Sequence, residues 1–414
     1  MSLAAGTSPW PNSHEEVAVL LSGGVDSSVA LNLLLEQGHK VRAFYLKIWL
    51  EDELAHLGEC PWEEDLQFAQ AVCDQARVPL EVVSLQREYW DLVVGYTVAE
   101  ARAGRTPNPD IMCNNRIKFG MFFEYVGRHF KKVATGHYAV VAPGEGGGSG
   151  AEGEGGGEAR LLRSPDPVKD QTYFLCGLSQ AQLSRALFPV GALTKEEVRR
   201  QAERFNLPTK ARPDSQGICF LGKLKFEDFL RAHLGEAPGP CVELETGAVI
   251  GRHRGLWFHT IGQRRGVGPV LHPTEIHRGP WFVARKDVPS NTLVVTNDYA
   301  AVNEARTQFR VEGLHWISPV AAAPVLSSGA ELLVKTRHGP AIQRCLLRLE
   351  RPEGAGEGGV EAGAGKGGGG AGEGLGTSAT CTLLEGKDSG LAPGQFAAFY
   401  CDEVCLGSGV IAVA

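Results

Sequence analysis

The feature that most constrains this chain is the change of texture at "EVAVLLSGGVDSSVALNLLLEQG", Glu16 to Gly38. A short, β-branched apolar run reads as a buried strand, and "SVALNLLLEQG" reads as a helix closing on Gly38. Between them stand Ser22, Gly23, Gly24, Val25, Asp26, Ser27 and Ser28. A glycine pair lets backbone amides turn toward an anion. Ser27 and Ser28 fall where a following helix presents its unpaired N–H groups and positive dipole end. The expected object is a phosphate cradle; the alternative is a glycine-rich turn with no ligand. No lysine follows the glycines as in G-x-x-x-x-G-K-[ST], and there is no G-x-G-x-x-G.

Strand and helix patterns alternate through the first half: "KVRAFYLKIW", "PLEVVSL" and "KKVATGHYAV" as strands; "PWEEDLQFAQAVCDQARV", "REYWDLVVGYTVAEARAG" and "FGMFFEYVGRHF" as helices. That predicts an α/β fold, a parallel sheet with helices on both faces and ligands beyond the carboxyl ends of the strands. "LTKEEVRRQAERFNLP" opens with a capping box, Thr194 with Glu197. Past about Lys223, short alternating runs with frequent turns predict an all-β C-terminal barrel. The expected division is an N-terminal domain over 15–222, a small central domain over 223–285 and a β-barrel over 286–414.

Two glycine-rich tracts, 143–158 and 353–376, interrupt this pattern. They cannot bury enough apolar surface to order themselves, and read as disordered hairpin-tip insertions. Their eight glutamates and one lysine account for the whole net charge of −7, so the remaining chain is close to neutral. No apolar run approaches the roughly 20 residues of a membrane span. The ten cysteines contain no C-x-x-C pair and so suggest no zinc site. Without a secretory signal they point to a reducing compartment.

Three polar loops carry further chemistry. "GRTPNPDIMCNNRIKFG" holds Asp110 and Cys113; Arg105, Arg116 and Lys118 would lower the thiol pKa if they faced it. "ARPDSQGICFLG" holds Cys219, and "SPDPVKDQTYFL" clusters Lys169, Asp170 and Gln171. Taken singly, these are equally a buried structural cysteine, another such cysteine, and a solvated turn.

Together they say more. S-G-G-x-D-S resembles the PP-loop of ATP pyrophosphatases. "SGGVDSS", "TPNPDIMCNNRIKFG", "TGHYA", "KDQTYFL", "DSQGICFLG" and "HTIGQRRGVG", in this order, closely resemble the tRNA 2-thiouridylases. The resemblance runs from about Val17 to the C-terminus, broken only by the two tracts. It implies ATP at Ser22–Ser28, with Asp26 near a magnesium ion, and Leu46 (where relatives often carry methionine) and Gly136 lining the nucleotide site. It also implies tRNA contacts at His137, Lys169, Asp170, Gln171, Arg337, His338 (in place of a more usual tyrosine) and Gln395. Asn108, Pro109 and Asp110 would meet the target base, with Asp110 as acid or base. Cys219 would carry a persulfide, with Cys113 as second nucleophile.

The implied reaction is adenylation of the wobble uridine at its C2 oxygen, then sulfur transfer, by a monomer. Its sulfur would come from a persulfide donor such as a cysteine desulfurase or relay protein. Arg199, Arg200, Arg252, Arg254, Arg264, Arg265, Lys335 and Arg337 are candidates to line the RNA path. The compartment would be a mitochondrion or plastid in a eukaryote, otherwise the cytoplasm. Two rivals stand beside this reading: an amide- or lysidine-forming ligase of the same superfamily, and a non-catalytic RNA-binding protein. Neither needs paired cysteines.

Overall fold

The computed structural model describes residues 13–48, 62–144, 158–214, 225–267, 271–298, 300, 307–329, 331–350, 378–386, 388 and 391–412. The described part of the first half contains strands β1 (Ser13–Leu20), β2 (Lys40–Lys47), β3 (Leu80–Ser84), β4 (Phe130–Ala134), β5 (Ala139–Ala142), β6 (Arg160–Arg163) and β7 (Ala186–Leu187). Five of them form a wholly parallel sheet in the order β3-β2-β1-β4-β7. Val17, Val19 and Leu21 pack on one side of β1, with Leu31, Leu34, Val72 and Cys73. Ala18 and Leu20 pack on the other, with Tyr89, Val93, Phe122 and Val126. Burial on both faces is why β1 reads as a continuous apolar run rather than an alternating one. Helix α1 (Val25–Glu36) follows, and the chain leaves it through Gly38 at φ +83°.

"KKVATGHYAV" is not one strand. β4 ends at Ala134, the chain turns through Thr135–Tyr138, and β5 leaves to pair antiparallel with β6. The turn is forced by Gly136, which lies against the backbone of the Ser22–Ser28 loop. A helical stretch also starts earlier than its apolar spacing suggested, at Pro109, and is wound in wide turns over Cys113–Met121.

The central unit is a sheet of β8 (Gly239–Glu243), β9 (Val249–His253), β10 (Phe282–Asp287) and β11 (Thr292–Thr296), in the order β10-β11-β8-β9. It reaches Thr296, so the boundary expected at 285 falls inside β10. The short runs "WFVARKD" and "TLVVTND" alternate like barrel strands. Only the pairing of Leu293–Val295 with Cys241–Glu243 assigns them to the central sheet.

The C-terminal strands are β12 (Gln308–Trp316), β13 (Leu332–Lys335), β14 (Gln343–Leu349), β15 (Ser378–Leu383), β16 (Phe396–Cys401) and β17 (Val404–Ile411). They close antiparallel as β12-β15-β14-β13-β16-β17-β12, around Phe309, Val311, Val334, Leu347 and Phe399. Val404 and Cys405 of β17 also pair with β6, so the β5–β6 hairpin of the first domain extends the barrel sheet. One glycine-rich tract lies between the paired strands β5 and β6, the other between the paired strands β14 and β15. Residues 145–157 and 351–377 of these connections lie outside the described residues. No described helix is long and apolar enough to cross a membrane.

Candidate active site

The loop between β1 and α1 is closed by two glycines at which any side chain would force the backbone to shift. Gly23 sits at φ +76°, and a Cβ there would lie 2.2 Å from the Asp65 carbonyl oxygen. A Cβ on Gly136 would lie 2.6 Å from the Ser27 amide nitrogen and 2.7 Å from the Asp26 carbonyl carbon. The hydroxyls of Ser27 and Ser28 both reach the Gly24 carbonyl, at 3.2 and 2.8 Å, and the Ser22 amide donates to Ser27 Oγ at 3.2 Å. Gly24 is the N-cap of α1 and makes no side-chain cap, while its own amide donates to Ser22 Oγ at 3.4 Å. The amides of the first turn therefore remain available to an anion, in a cradle of fixed shape. Leu46, near the end of β2 beside Val83 of β3, packs half-buried against the core at the carboxyl edge of the same sheet.

A charge cluster adjoins this cradle. Asp26 Oδ1 accepts from Tyr138 Oη at 2.7 Å and from Lys195 Nζ at 2.7 Å. Lys195 Nζ also lies 2.8 Å from Asp214 Oδ1, and Arg199 Nη2 donates to that oxygen at 2.6 Å. Lys169 Nζ donates to Asp214 Oδ2 at 2.5 Å. Partial burial works against ionisation of Asp214, but its lysine partners outweigh that and hold its carboxyl at about 2. Arg212 closes the other side, donating to the Gly23 carbonyl and to Asp65, both at 2.8 Å.

The second loop is fixed from two directions. Asn108 caps the Pro109–Met112 turn by accepting from the Ile111 amide at 3.2 Å, and its Nδ2 donates to Gln395 Oε1 at 3.2 Å. Gln395 Nε2 in turn donates to the carbonyls of Thr106 and Pro107, at 3.2 and 2.9 Å. Gln395 thus staples the barrel to the loop that carries Pro109 and Asp110. Cys113 follows at the head of the wide-turn segment, 1% exposed.

The expected lowering of its thiol pKa does not occur. Burial pushes the Cys113 thiol up to about 11, Lys118 draws it partly back and Asp110 raises it further. Arg105 is committed to Glu100, at 2.6 and 2.5 Å, and Arg116 is exposed. Below that pKa the thiolate fraction rises about tenfold per pH unit. Alkylation of Cys113 in the resting protein is therefore expected to climb about tenfold per unit from pH 7 to 9, followed by mass spectrometry of the Cys113 peptide. A rate flat over that range would mean an already ionised thiol. Cys219 lies outside the described residues.

The residues expected to meet RNA divide sharply. Asp170 is 1% exposed and bound by Lys335 Nζ at 2.6 Å, with both side chains fully enclosed. Both side chains are enclosed rather than at a surface open to RNA; no periodicity in the sequence marks a buried ion pair. Gln171 accepts from the Tyr138 amide at 2.9 Å through Oε1. His137 is buried between Phe119 and Phe188, with Nδ1 2.7 Å from Thr135 Oγ1, and burial holds it well below its ordinary pKa, in the neutral form. Arg337 is more than half exposed while donating to the buried Asp388 at 2.6 Å. His338 stacks on Phe174 with ring centroids 4.6 Å apart. Arg200, Arg252, Arg254, Arg264 and Arg265 are exposed, whereas Arg199 belongs to the Asp214 cluster.

Sequence reasoning missed Lys195, Asp214, Arg212 and Tyr138. Lys195 was visible only as the residue inside the capping box, where a charge normally points to solvent. Asp214 stands in the stretch "ARPDSQGICFLG", where nothing in the neighbouring residues marks it as a partner of Lys195.

Three family models match consecutive parts of the chain: the tRNA methyl transferase HUP domain over residues 15–223, the tRNA methyl transferase PRC-barrel domain over 227–297 and the aminomethyltransferase beta-barrel domain over 380–411. The chain is 41% identical over 399 residues to tRNA-specific 2-thiouridylase MnmA 1 of Bacteroides thetaiotaomicron, covering 95% of this chain and 99% of that protein. It is 39% identical to tRNA-specific 2-thiouridylase MnmA of Parabacteroides distasonis, with 96% and 98% covered. With the MnmA protein of Porphyromonas gingivalis it shares 40% identity, over 96% and 99% of the two chains. Identity of 39–41% over 95–96% of the chain places this protein in the MnmA-type tRNA 2-thiouridylase family.

Proposed function

We propose that this protein replaces the C2 oxygen of the wobble uridine of tRNA with sulfur, using ATP. The observation that carries the reading is the uncapped glycine cradle of Ser22–Ser28, with Gly136 packed against it, in a chain that matches 2-thiouridylases from end to end. The cradle fits a polyphosphate: no side chain caps the amides of the first turn of α1, and Lys195 and Arg212 lie alongside. Asp26 suits the accompanying magnesium ion, since only its Oδ1 is engaged among the described residues and a carboxylate oxygen is the donor that ion takes. Bound there, magnesium would offset charge on the phosphates.

The uracil O2 attacks the α-phosphorus as the bond to pyrophosphate breaks, and the N3 proton passes to Asp110. The terminal sulfur of a Cys219 persulfide then attacks C2, and AMP leaves with the electrons of the C2–O bond. Cys113 attacks Cys219 Sγ; the sulfur–sulfur bond breaks, the thiouridine keeps the sulfur, and a Cys113–Cys219 disulfide remains for an external thiol to reduce. Attack by Cys113 on the persulfide first, releasing hydrosulfide that displaces AMP, gives the same balance. A reducing compartment, a tRNA anticodon loop and a persulfide-donating protein are the partners this chemistry needs. The base must leave its stack to reach the loop at Asn108–Asp110.

Purified protein, unmodified wobble-uridine tRNA, ATP, magnesium, a persulfide donor and reductant should yield a thionucleoside by mass spectrometry of the digested RNA. The product should need ATP and vanish in Cys219→Ser. Pyrophosphate release without a thionucleoside would instead point to an amide- or lysidine-forming ligase.

A further inference from the structure

The glycine loop lacks the lysine that other phosphate loops carry within their own sequence, yet a lysine stands beside it. Lys195 is brought there by the capping box of the Lys195–Arg204 helix. Thr194 Oγ1 accepts from the Glu197 amide at 3.3 Å, and Glu197 accepts from the Thr194 amide at 2.8 Å. The Lys195 amide is held by Asp166 Oδ2 at 3.0 Å. With the backbone pinned on both sides, the side chain is 16% exposed and its ammonium bridges Asp26, in the first turn of α1, and Asp214. One ammonium between two carboxylates is a surface helix residue turned inward, toward the loop rather than the solvent.

We infer that Lys195 binds the β- and γ-phosphates of ATP, serving as the cation that this phosphate loop does not contain, and that Asp214 holds its ammonium until polyphosphate takes it. The inference rests on the ATP reading above. Lys195 Nζ lies within 3 Å of the Asp26 carboxylate, and Asp26 belongs to the same helical turn whose amides face the anion. Polyphosphate oxygens compete with Asp214 for the same ammonium. Asp214 itself keeps Lys169 and Arg199 when Lys195 departs, so its carboxylate is never left uncompensated. During adenylation the charge on the leaving pyrophosphate grows, and a cation fixed beside it stabilises that change.

The test is titration calorimetry of the full chain with ATP, inorganic pyrophosphate and AMP, each with magnesium. A charged hydrogen bond of about 1.5–3 kcal/mol corresponds to about 10- to 100-fold in affinity. Lys195→Met should lose that much for ATP and for pyrophosphate, with AMP changed by less than about twofold. Lys195→Arg should recover part of the loss. Asp214→Asn, which leaves Asp26 as the one carboxylate holding the ammonium among the described residues, should tighten pyrophosphate binding several-fold, and it tests the inference even if Lys195→Met does not fold. Unchanged pyrophosphate affinity in both variants, or an equal loss for AMP and pyrophosphate, would overturn the assignment. A wild-type chain that binds ATP but makes no thionucleoside would refute the thiolation reading and leave the Lys195 result to stand by itself.

Discussion

Gly136→Ala is expected to lower tRNA-dependent pyrophosphate release at least about 100-fold while costing about 1–3 kcal/mol of stability. The added methyl would sit 2.6 Å from the Ser27 nitrogen, 2.7 Å from the Asp26 carbonyl carbon and 2.9 Å from the Ser27 Cα. All three are backbone atoms at the start of α1, so no side chain can swing aside. Either the Thr135–Tyr138 turn backs away or the first turn of the helix moves. The first choice drags the Tyr138 hydroxyl off Asp26. The second misplaces the amides that face the phosphates. The control is Gly38→Ala at the far end of the same helix, where φ is +83° but no atom lies within 4 Å of the added methyl. That variant should cost about 1 kcal/mol through backbone strain alone and leave pyrophosphate release near wild type. Equal activity in the two variants would mean that close packing against the loop does not shape the nucleotide site.

Much of this site was legible because it is made of local chemistry. Ser22–Ser28 carry their geometry in consecutive residues: apolar run, small residues, apolar run. The same holds for Asn108–Cys113, whose proline and cap are adjacent in sequence, and for the Thr194–Glu197 box, which formed as read. What stayed hidden depends on pairs far apart in the chain. Nothing near Lys195 says that Asp26 and Asp214 will meet it. Nothing near β10 says whether it joins the central sheet or the barrel, because strand periodicity records a face and not a neighbour. The Cys113 thiol shows the same limit. Arg105, Arg116 and Lys118 are close to it in sequence, but Arg105 folds back on Glu100, Arg116 is exposed, and enclosure by the core outweighs Lys118.

The largest effect on stability should come from the pair that sequence reasoning put on the surface. Asp170 and Lys335 join the first domain to the barrel through a 2.6 Å contact with no solvent access to either side chain. Asp170 Oδ1 also accepts from the Ser164 and Thr172 amides, at 3.4 and 3.3 Å, and from Thr172 Oγ1 at 2.9 Å, so the carboxylate cannot turn away to another partner. Lys335→Met leaves that carboxylate enclosed with Arg163, 3.6 Å away, as the one remaining cation paired with it among the described residues. Removing one member of such a pair typically costs about 3–5 kcal/mol, whereas replacing both is far milder. Lys335→Met should therefore lower the denaturant midpoint of the full chain markedly, and Asp170→Asn combined with Lys335→Met should restore most of it. Because Arg337 and His338 lie two and three residues past Lys335, just off the end of β13, the single variant should also weaken tRNA binding while leaving pyrophosphate affinity close to wild type. A cost below about 1 kcal/mol in Lys335→Met would mean that water reaches the pair, and that the hydrogen bonds of the β6–β17 junction carry the domain contact instead.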